Sequence, residues 1–220
     1  MTDRALTIEV YSDVVCPWCY VGKRRLERAL TEFDEAPRVI WRPFQLNPTM
    51  PKDGMDRTVY LEAKFGSLDA FRQLEEHVQA AGASERIPFA FEKIARTPNT
   101  FAAHRLIWLA EREGRQDAVV GALFQGYFEE GADIGSIAML VQLAEQAGLN
   151  REAVERVLQS DEGTAEVKAE EAAGHKLGIR GVPYFIVNGT QAISGAQPVE
   201  TFVSALKRVA ADGSERKAGV

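Results

Sequence analysis

Cysteine is scarce in this chain: two occur among 220 residues, at positions 16 and 19. A bridge between such close neighbours closes a tiny loop and removes little unfolded-state entropy, which excludes a disulfide framework as the source of stability. Basic charge is also in deficit, with Lys+Arg 26 against Asp+Glu 32 and a net charge of -6. No global positive field exists to attract a phosphate backbone, so nucleic acid is not an expected partner. No uninterrupted apolar stretch is long enough to span a bilayer. Met1 to Val15 show neither a cationic leader followed by an apolar block nor a small-residue cleavage pattern. The expectation is a cytoplasmic protein with no membrane partner. Nothing recurs at a fixed period, which removes solenoid architectures. What is present is an ordinary globular composition, 45% hydrophobic and 26% charged, in a chain long enough to bury a sizeable core. In a reducing compartment, a lone close cysteine pair points to catalysis or metal binding rather than to structure.

Local patterns give the organisation. Leu6, Ile8 and Val10 alternate with Thr7, Glu9 and Tyr11, a period of two that predicts a strand ending near Ser12-Asp13. From Cys16 onward Tyr20, Val21, Leu26, Leu30 and Phe33 recur at helical spacing, predicting a helix closed by Pro37. Val39, Ile40, Trp41 and Phe44 predict a second strand, and Pro43 within it assigns that strand to a sheet edge. From Thr58 to about Gln159 the spacing is helical. Pro98 opens a helix ending before Gly114, and further helices are expected over Gln116 to Glu129, Ser136 to Ala147 and Arg151 to Gln159. Another runs from Thr164 to Gly178. Asn188-Gly189 between two apolar runs signals a hairpin, and Phe202, Val203, Leu206 and Val209 mark a closing helix. The polar segment Asp212 to Val220 reads as a frayed tail. The two ends look like one split α/β unit, with residues 1–48 and 165–212 flanking a helical insert over 49–164 and a tail at 213–220.

The chemistry concentrates at Cys16-Pro17-Trp18-Cys19. A strand, a sharp turn and a cysteine at the first turn of a helix set the Cys16 sulfur beside unpaired N–H groups and the positive end of the helix dipole, which favours thiolate. Pro17 suits that turn because the first helical residues need no N–H. Cys19 lies on the same helix face, about 5–6 Å away between Cβ atoms, within adjusting range of a disulfide. Attack by Cys16 on a substrate disulfide, followed by displacement from Cys19, is therefore geometrically available. The competing readings are half a zinc site or two ordinary buried thiols. Zinc would need two more ligands, and His77, His104 and His175 show no ligand-type spacing.

The segment SDVVCPWCYVGK, with RPFQLNP at Arg42 to Pro48, PNTFAAHRL at Pro98 to Leu106, and GVPYFIVNG followed by ISGAQP, resembles the FrnE-like branch of the DsbA family over nearly the whole chain. The resemblance implies an α/β thioredoxin fold interrupted by an inserted all-helical domain, and disulfide oxidoreductase activity. It makes Cys16 the nucleophile, Cys19 the resolving thiol, and Val182-Pro183 a cis-proline turn beside them. A cis peptide there would expose the Val182 backbone to an extended substrate segment, which could pair with it as an added strand. The expected redox group is the Cys16–Cys19 disulfide itself, with no separate cofactor. The expected partners are protein or peptide thiols and disulfides, with glutathione as a further thiol partner. Pro17-Trp18 departs from the Pro-His of the best-known DsbA proteins, so oxidant, reductant and isomerase all stay open.

Several further residues are candidates. Glu9 precedes the cysteine turn and is either a buried acid relaying the proton of Cys19 or a salt-bridged strand residue. His104 and Arg105 either line the cleft or form the wet face of a helix. Asn99 reads as a helix-start residue. Trp18 is either a docking aromatic or packed against the insertion. Phe44, Phe65, Phe71, Phe101 and Phe124 are read as core rather than substrate pocket. Two other functions compete: a glutathione-dependent transferase or isomerase on the same architecture, and a redox-sensing binding or chaperone module.

Overall fold

The computed structural model describes residues 6–34 and 37–218, with side chains through Ala211. Strand β1 (Thr7–Ser12) leads into helix α1 (Pro17–Leu30) and strand β2 (Arg38–Pro43). A long stretch follows with β3 (Met55–Asp56), α2 (Arg57–Phe65), α3 (Leu68–Ser84), β4 (Arg96–Thr97), α4 (Phe101–Arg112), α5 (Gln116–Phe128), α6 (Ile137–Gln146), α7 (Arg151–Gln159) and α8 (Thr164–Lys176). The chain then returns through β5 (Tyr184–Val187) and β6 (Gln191–Ser194) to α9 (Val199–Ala218).

The main sheet has the order β2-β1-β5-β6, with β1 parallel to β2 and the other pairs antiparallel. Both ends of the chain thus meet in one sheet around the inserted helices. As Pro43 requires, β2 is an edge strand. Alternation along β1 buries Ile8 and Val10 in the large core that also holds Cys19, Tyr20 and Leu26 of α1. On the other face Tyr11 joins Phe44 and Ile179, and α8 closes over them at Gly174. A Cβ at Gly174 would stand 2.6 Å from the Tyr11 ring, so only glycine lets the helix approach this closely. At the hairpin, Asn188 and Gly189 take φ of 47° and 69°. The Asn188 N–H donates to the Thr7 carbonyl at 2.8 Å, and its Oδ1 accepts from the Thr7 N–H at 2.8 Å, tying the turn to the start of β1.

Three expectations change in detail. The insertion is helical except for a ladder pairing Met55 with Thr97 and Asp56 with Arg96, too short to leave an alternating pattern in sequence. Helix α1 stops at Leu30, ahead of Pro37, with the Thr31 hydroxyl donating to the Arg28 carbonyl at 2.7 Å. The segment read as a tail from Asp212 is helical as far as Ala218, consistent with its alanine, glutamate, arginine and lysine content. Residues 219 and 220 lie outside the described residues.

Candidate active site

Cys16 caps α1 with extended backbone (φ −94°, ψ 110°), and Pro17 occupies the first helical position. The turn ahead of it closes when the Cys16 N–H donates to the Asp13 carbonyl at 3.0 Å. The Cys16 carbonyl then accepts from the N–H groups of Cys19 at 3.0 Å and Tyr20 at 3.4 Å. Both cysteines are free thiols. They differ in access. Cys19 is fully buried, whereas Cys16, 5% exposed, lines a cavity of about 530 Å³ together with Trp18, Leu61, Phe65, Phe71 and Leu74. Burial first, and contact with Cys16 second, push the Cys19 thiol well above the usual range, with the Ser12 side chain and Asp13 backbone offsetting only part.

The Val182-Pro183 bond is cis, as the resemblance implied, and the Cys16 Sγ lies 3.6 Å from the Val182 carbonyl oxygen. Gly22, one turn into α1, makes room for this segment. A Cβ there would stand 3.0 Å from Pro183 Cγ and 3.2 Å from Phe185 Cζ.

Beneath the pair lies a buried polar group made of Asp13, which sequence reading passed over, and His104, already a candidate from the sequence. Asp13 is fully buried and His104 is 3% exposed. The Asp13 Oδ2 accepts from the Leu46 N–H at 2.7 Å, while its Oδ1 faces His104 Nε2 at 3.5 Å. Those two facing atoms have no hydrogen-bond partner among the described residues. Unpaired polar atoms this deep are costly and point to a role beyond packing. The only local signal was an acid three residues ahead of Cys16, which reads equally well as the end of a strand.

Glu9 is elsewhere. It pairs with Arg42 at 3.1 Å on the Tyr11 side of the sheet, where Arg42 also meets Glu111 at 3.3 Å and Glu170 at 3.0 Å. This removes Glu9 as a relay for Cys19, because alternation turns it away from the Ile8 and Val10 face that carries the cysteines. Arg105 does not reach the cysteines. It is buried and donates to the carbonyls of Val157, in the last turn of α7, and of Ser160 and Glu162 just beyond it. A larger and more open hollow of about 960 Å³, walled in part by Arg105, Lys168 and Glu171, includes neither cysteine. Asn99 acts at a helix start, accepting from the Phe101 N–H at 2.9 Å. Phe44 and Phe124 are core, but Phe65 and Phe71 are half-buried cavity walls and Phe101 is half-buried beside the larger hollow. Trp18, 37% exposed, stands at the cavity edge. Among the described residues no group of three or more His, Cys, Asp or Glu is placed to hold a metal, and no helix is long and apolar enough to cross a membrane.

Two thiols sit at one helix tip, one lining a cavity and one sealed, and the sheet beneath them is the thioredoxin sheet. This is a thioredoxin-fold oxidoreductase with a helical insertion. The DSBA-like thioredoxin domain matches residues 7–207, and the chain belongs to that family. It is similar to a probable DsbA oxidoreductase from Streptomyces coelicolor, with 36% identity, a TM-score of 0.85, and coverage of 92% of this chain and 89% of that one. The uncharacterized protein YwbO of Bacillus subtilis (strain 168) is 28% identical over 200 residues, 90% of this chain and 94% of that protein. The cytosolic disulfide reductase DsbM from Pseudomonas aeruginosa shares the fold at 17% identity and a TM-score of 0.63, covering 97% of this chain and 100% of its own, and has also been solved with GSH.

Proposed function

We propose that this chain, within the FrnE-like branch, exchanges disulfides with protein or small thiol substrates in the cytoplasm through Cys16 and Cys19, with that pair as its redox group. The observation that carries the reading is the asymmetry of the two thiols: Cys16 opens on a cavity and Cys19 has no exposed surface. The Cys16 thiolate attacks one sulfur of a substrate disulfide. The substrate S–S bond breaks, one substrate thiolate leaves, and a Cys16–substrate mixed disulfide forms. Cys19 then loses its proton and attacks the Cys16 sulfur, releasing the second substrate thiolate and leaving a Cys16–Cys19 disulfide. The protein dithiol is oxidised as the substrate disulfide is reduced to two thiols, and the reverse sequence oxidises a substrate. Val182, whose carbonyl adjoins the Cys16 sulfur, offers backbone for an extended substrate to pair with. Glutathione, bound by the Pseudomonas reductase, fits as a small thiol partner here. A glutathione transferase would have no use for the second thiol.

Because burial holds the Cys19 proton tightly, its transfer needs a nearby acceptor. Asp13 supplies it: its backbone adjoins the Cys19 thiol and its free Oδ1 faces His104. The pair replaces Glu9 in that role.

Three variants test this. Cys19→Ser is expected to accumulate mixed disulfides with extract proteins, and Cys16→Ser to trap none. Equal trapping by both, or aggregation suppression that survives loss of both cysteines, would favour the binding-module reading. Asp13→Asn is expected to lengthen the life of the mixed disulfide by about 10²-fold near neutral pH. The deficit should close as pH rises and Cys19 ionises unaided, so a lifetime equal to the parent's removes Asp13 from the proton path.

A further inference from the structure

The cavity beside Cys16 carries a cation that the exchange chemistry does not use. Its walls are apolar, drawn from Leu61 and Phe65 of α2, Phe71 and Leu74 of α3, and Phe91 and Phe128. Trp18 at 37% and Leu74 at 50% leave much of their apolar surface at its mouth uncovered. Arg57 is half-buried in this lining, its guanidinium 5.6 Å from the Phe71 ring centre and 5.8 Å from that of Phe91. Among the described residues its guanidinium donates only to the neutral Tyr127 hydroxyl, at 3.4 Å, and forms no ion pair. Lys64, also in the lining, donates to the Tyr60 hydroxyl at 2.6 Å and to Asn47 Oδ1 at 3.3 Å, likewise without a carboxylate. Glu75 is the acid of the lining. Burial raises its carboxyl, and the pull of Arg57 offsets only part of this, without a direct pair.

A guanidinium set against two aromatic rings, with Glu75 acting on it only from a distance, has lost hydration without a directly paired anion. It stands out the more in a chain of net charge -6. Planar guanidinium is also the side chain best matched to a carboxylate fork. The volume, about 530 Å³, falls in the range of small-molecule pockets rather than of an extended polypeptide groove.

We infer that this cavity takes a low-molecular-weight disulfide whose aromatic or apolar arm carries a carboxylate. The arm packs against the paired rings of Phe65 and Phe71, the carboxylate pairs with Arg57, and the disulfide sulfur meets Cys16. This rests on the exchange reading and names the substrate class it serves. The steps are those given above, releasing two arm thiols per disulfide.

The test uses the reduced full-length protein and 5,5′-dithiobis(2-nitrobenzoate) against its uncharged bis-amide, each rate divided by its rate with free dithiothreitol to cancel intrinsic reactivity. The parent is expected to prefer the acid, and Arg57→Gln to cut that normalised preference about tenfold, with Arg57→Lys recovering part of it. In the parent alone, added salt is expected to erode the acid rate and not the amide rate. A preference unchanged in Arg57→Gln and insensitive to salt overturns the proposal. So does a carboxylate preference seen only when the same groups are presented in a peptide disulfide, which would make the occupant a polypeptide. A parent that exchanges with neither disulfide fails at an earlier point, in the exchange reading itself.

Discussion

The buried proton on Cys19 links chemistry to stability. In the unfolded chain a thiol ionises near pH 8.5. In the fold, burial and contact with Cys16 raise that value well above its ordinary one. A folded pKa above the unfolded one means the stabilisation is full below about pH 8.5 and is lost as pH rises toward the folded value, by up to about 1.4 kcal/mol per pH unit. Tyr20 and Tyr127, each pushed up to about 12 mainly by burial, act with the same sign but only above about pH 10, where free tyrosine ionises. Between about pH 8.5 and 10 the fall belongs to the thiol. Urea midpoints of the reduced protein should drop across that window while those of the oxidised protein stay level. Cys19→Ser should flatten the reduced curve. Parallel curves for the two redox forms would show that the fold does not hold Cys19 protonated.

Helix α3 forms an outer wall of the cavity, and its C-terminal end is tied to α1. Glu85, its C-cap, is buried and accepts from Arg25 at 3.0 Å and Arg28 at 2.7 Å. Burial alone would raise its carboxyl pKa, but the two guanidinium hydrogen bonds outweigh burial and hold it below the usual range. That contribution is present above about pH 4.3 and lost as pH falls through the depressed value. Glu85→Gln should cost about 1–2 kcal/mol at neutral pH, the exposure of Arg28 keeping it at the low end for charged hydrogen bonds. Urea melts at neutral and acid pH check it, because the deficit should shrink in acid. The contrast with the first turn of α1 shows what sequence can carry. Cys16, Pro17 and Cys19 act through backbone geometry within four residues, and α7 begins and ends where Asn150 and the apolar spacing place it, Asn150 Oδ1 accepting from the Ala153 N–H at 2.9 Å. The approach of Asp13 to His104, or of Phe65 and Phe71 to Cys16, depends on how distant segments pack, and no local period records that. Phe65 and Phe124 look alike in sequence, since hydrophobicity says nothing of which neighbour covers the ring. For Glu9 the alternation of β1 was readable, but which face α1 would cover was not.

At the scale of the whole molecule, sheet and insertion share the larger of the two buried clusters. The buried cluster runs from Ile8 and Val10 through Cys16, Cys19 and Tyr20 to Phe124, Leu140 and Val154 without a break. The Tyr20 ring stacks on Phe124 at 5.1 Å and 9°, and its hydroxyl donates to Glu129 at 2.7 Å. Gln116, on α5, exchanges hydrogen bonds of 2.8 and 2.9 Å with the Trp41 backbone of β2, supplying partners that an edge strand otherwise lacks. Buried Lys23 reaches Asp117 at 2.7 Å across the same seam. With so much of the packing of α1 contributed by the insertion, neither part keeps its core when the other opens. Far-ultraviolet circular dichroism and tryptophan fluorescence should therefore report one urea midpoint, and calorimetric and van't Hoff enthalpies should agree. Phe124→Ala, which removes the ring stacked on Tyr20 and leaves both cysteines in place, should lower both probes together by about 3–5 kcal/mol. Two separated transitions, or a Phe124→Ala loss confined to one probe, would mean that the helical stretch stands by itself, and the burial that protects Cys19 would then have to come from the sheet side alone.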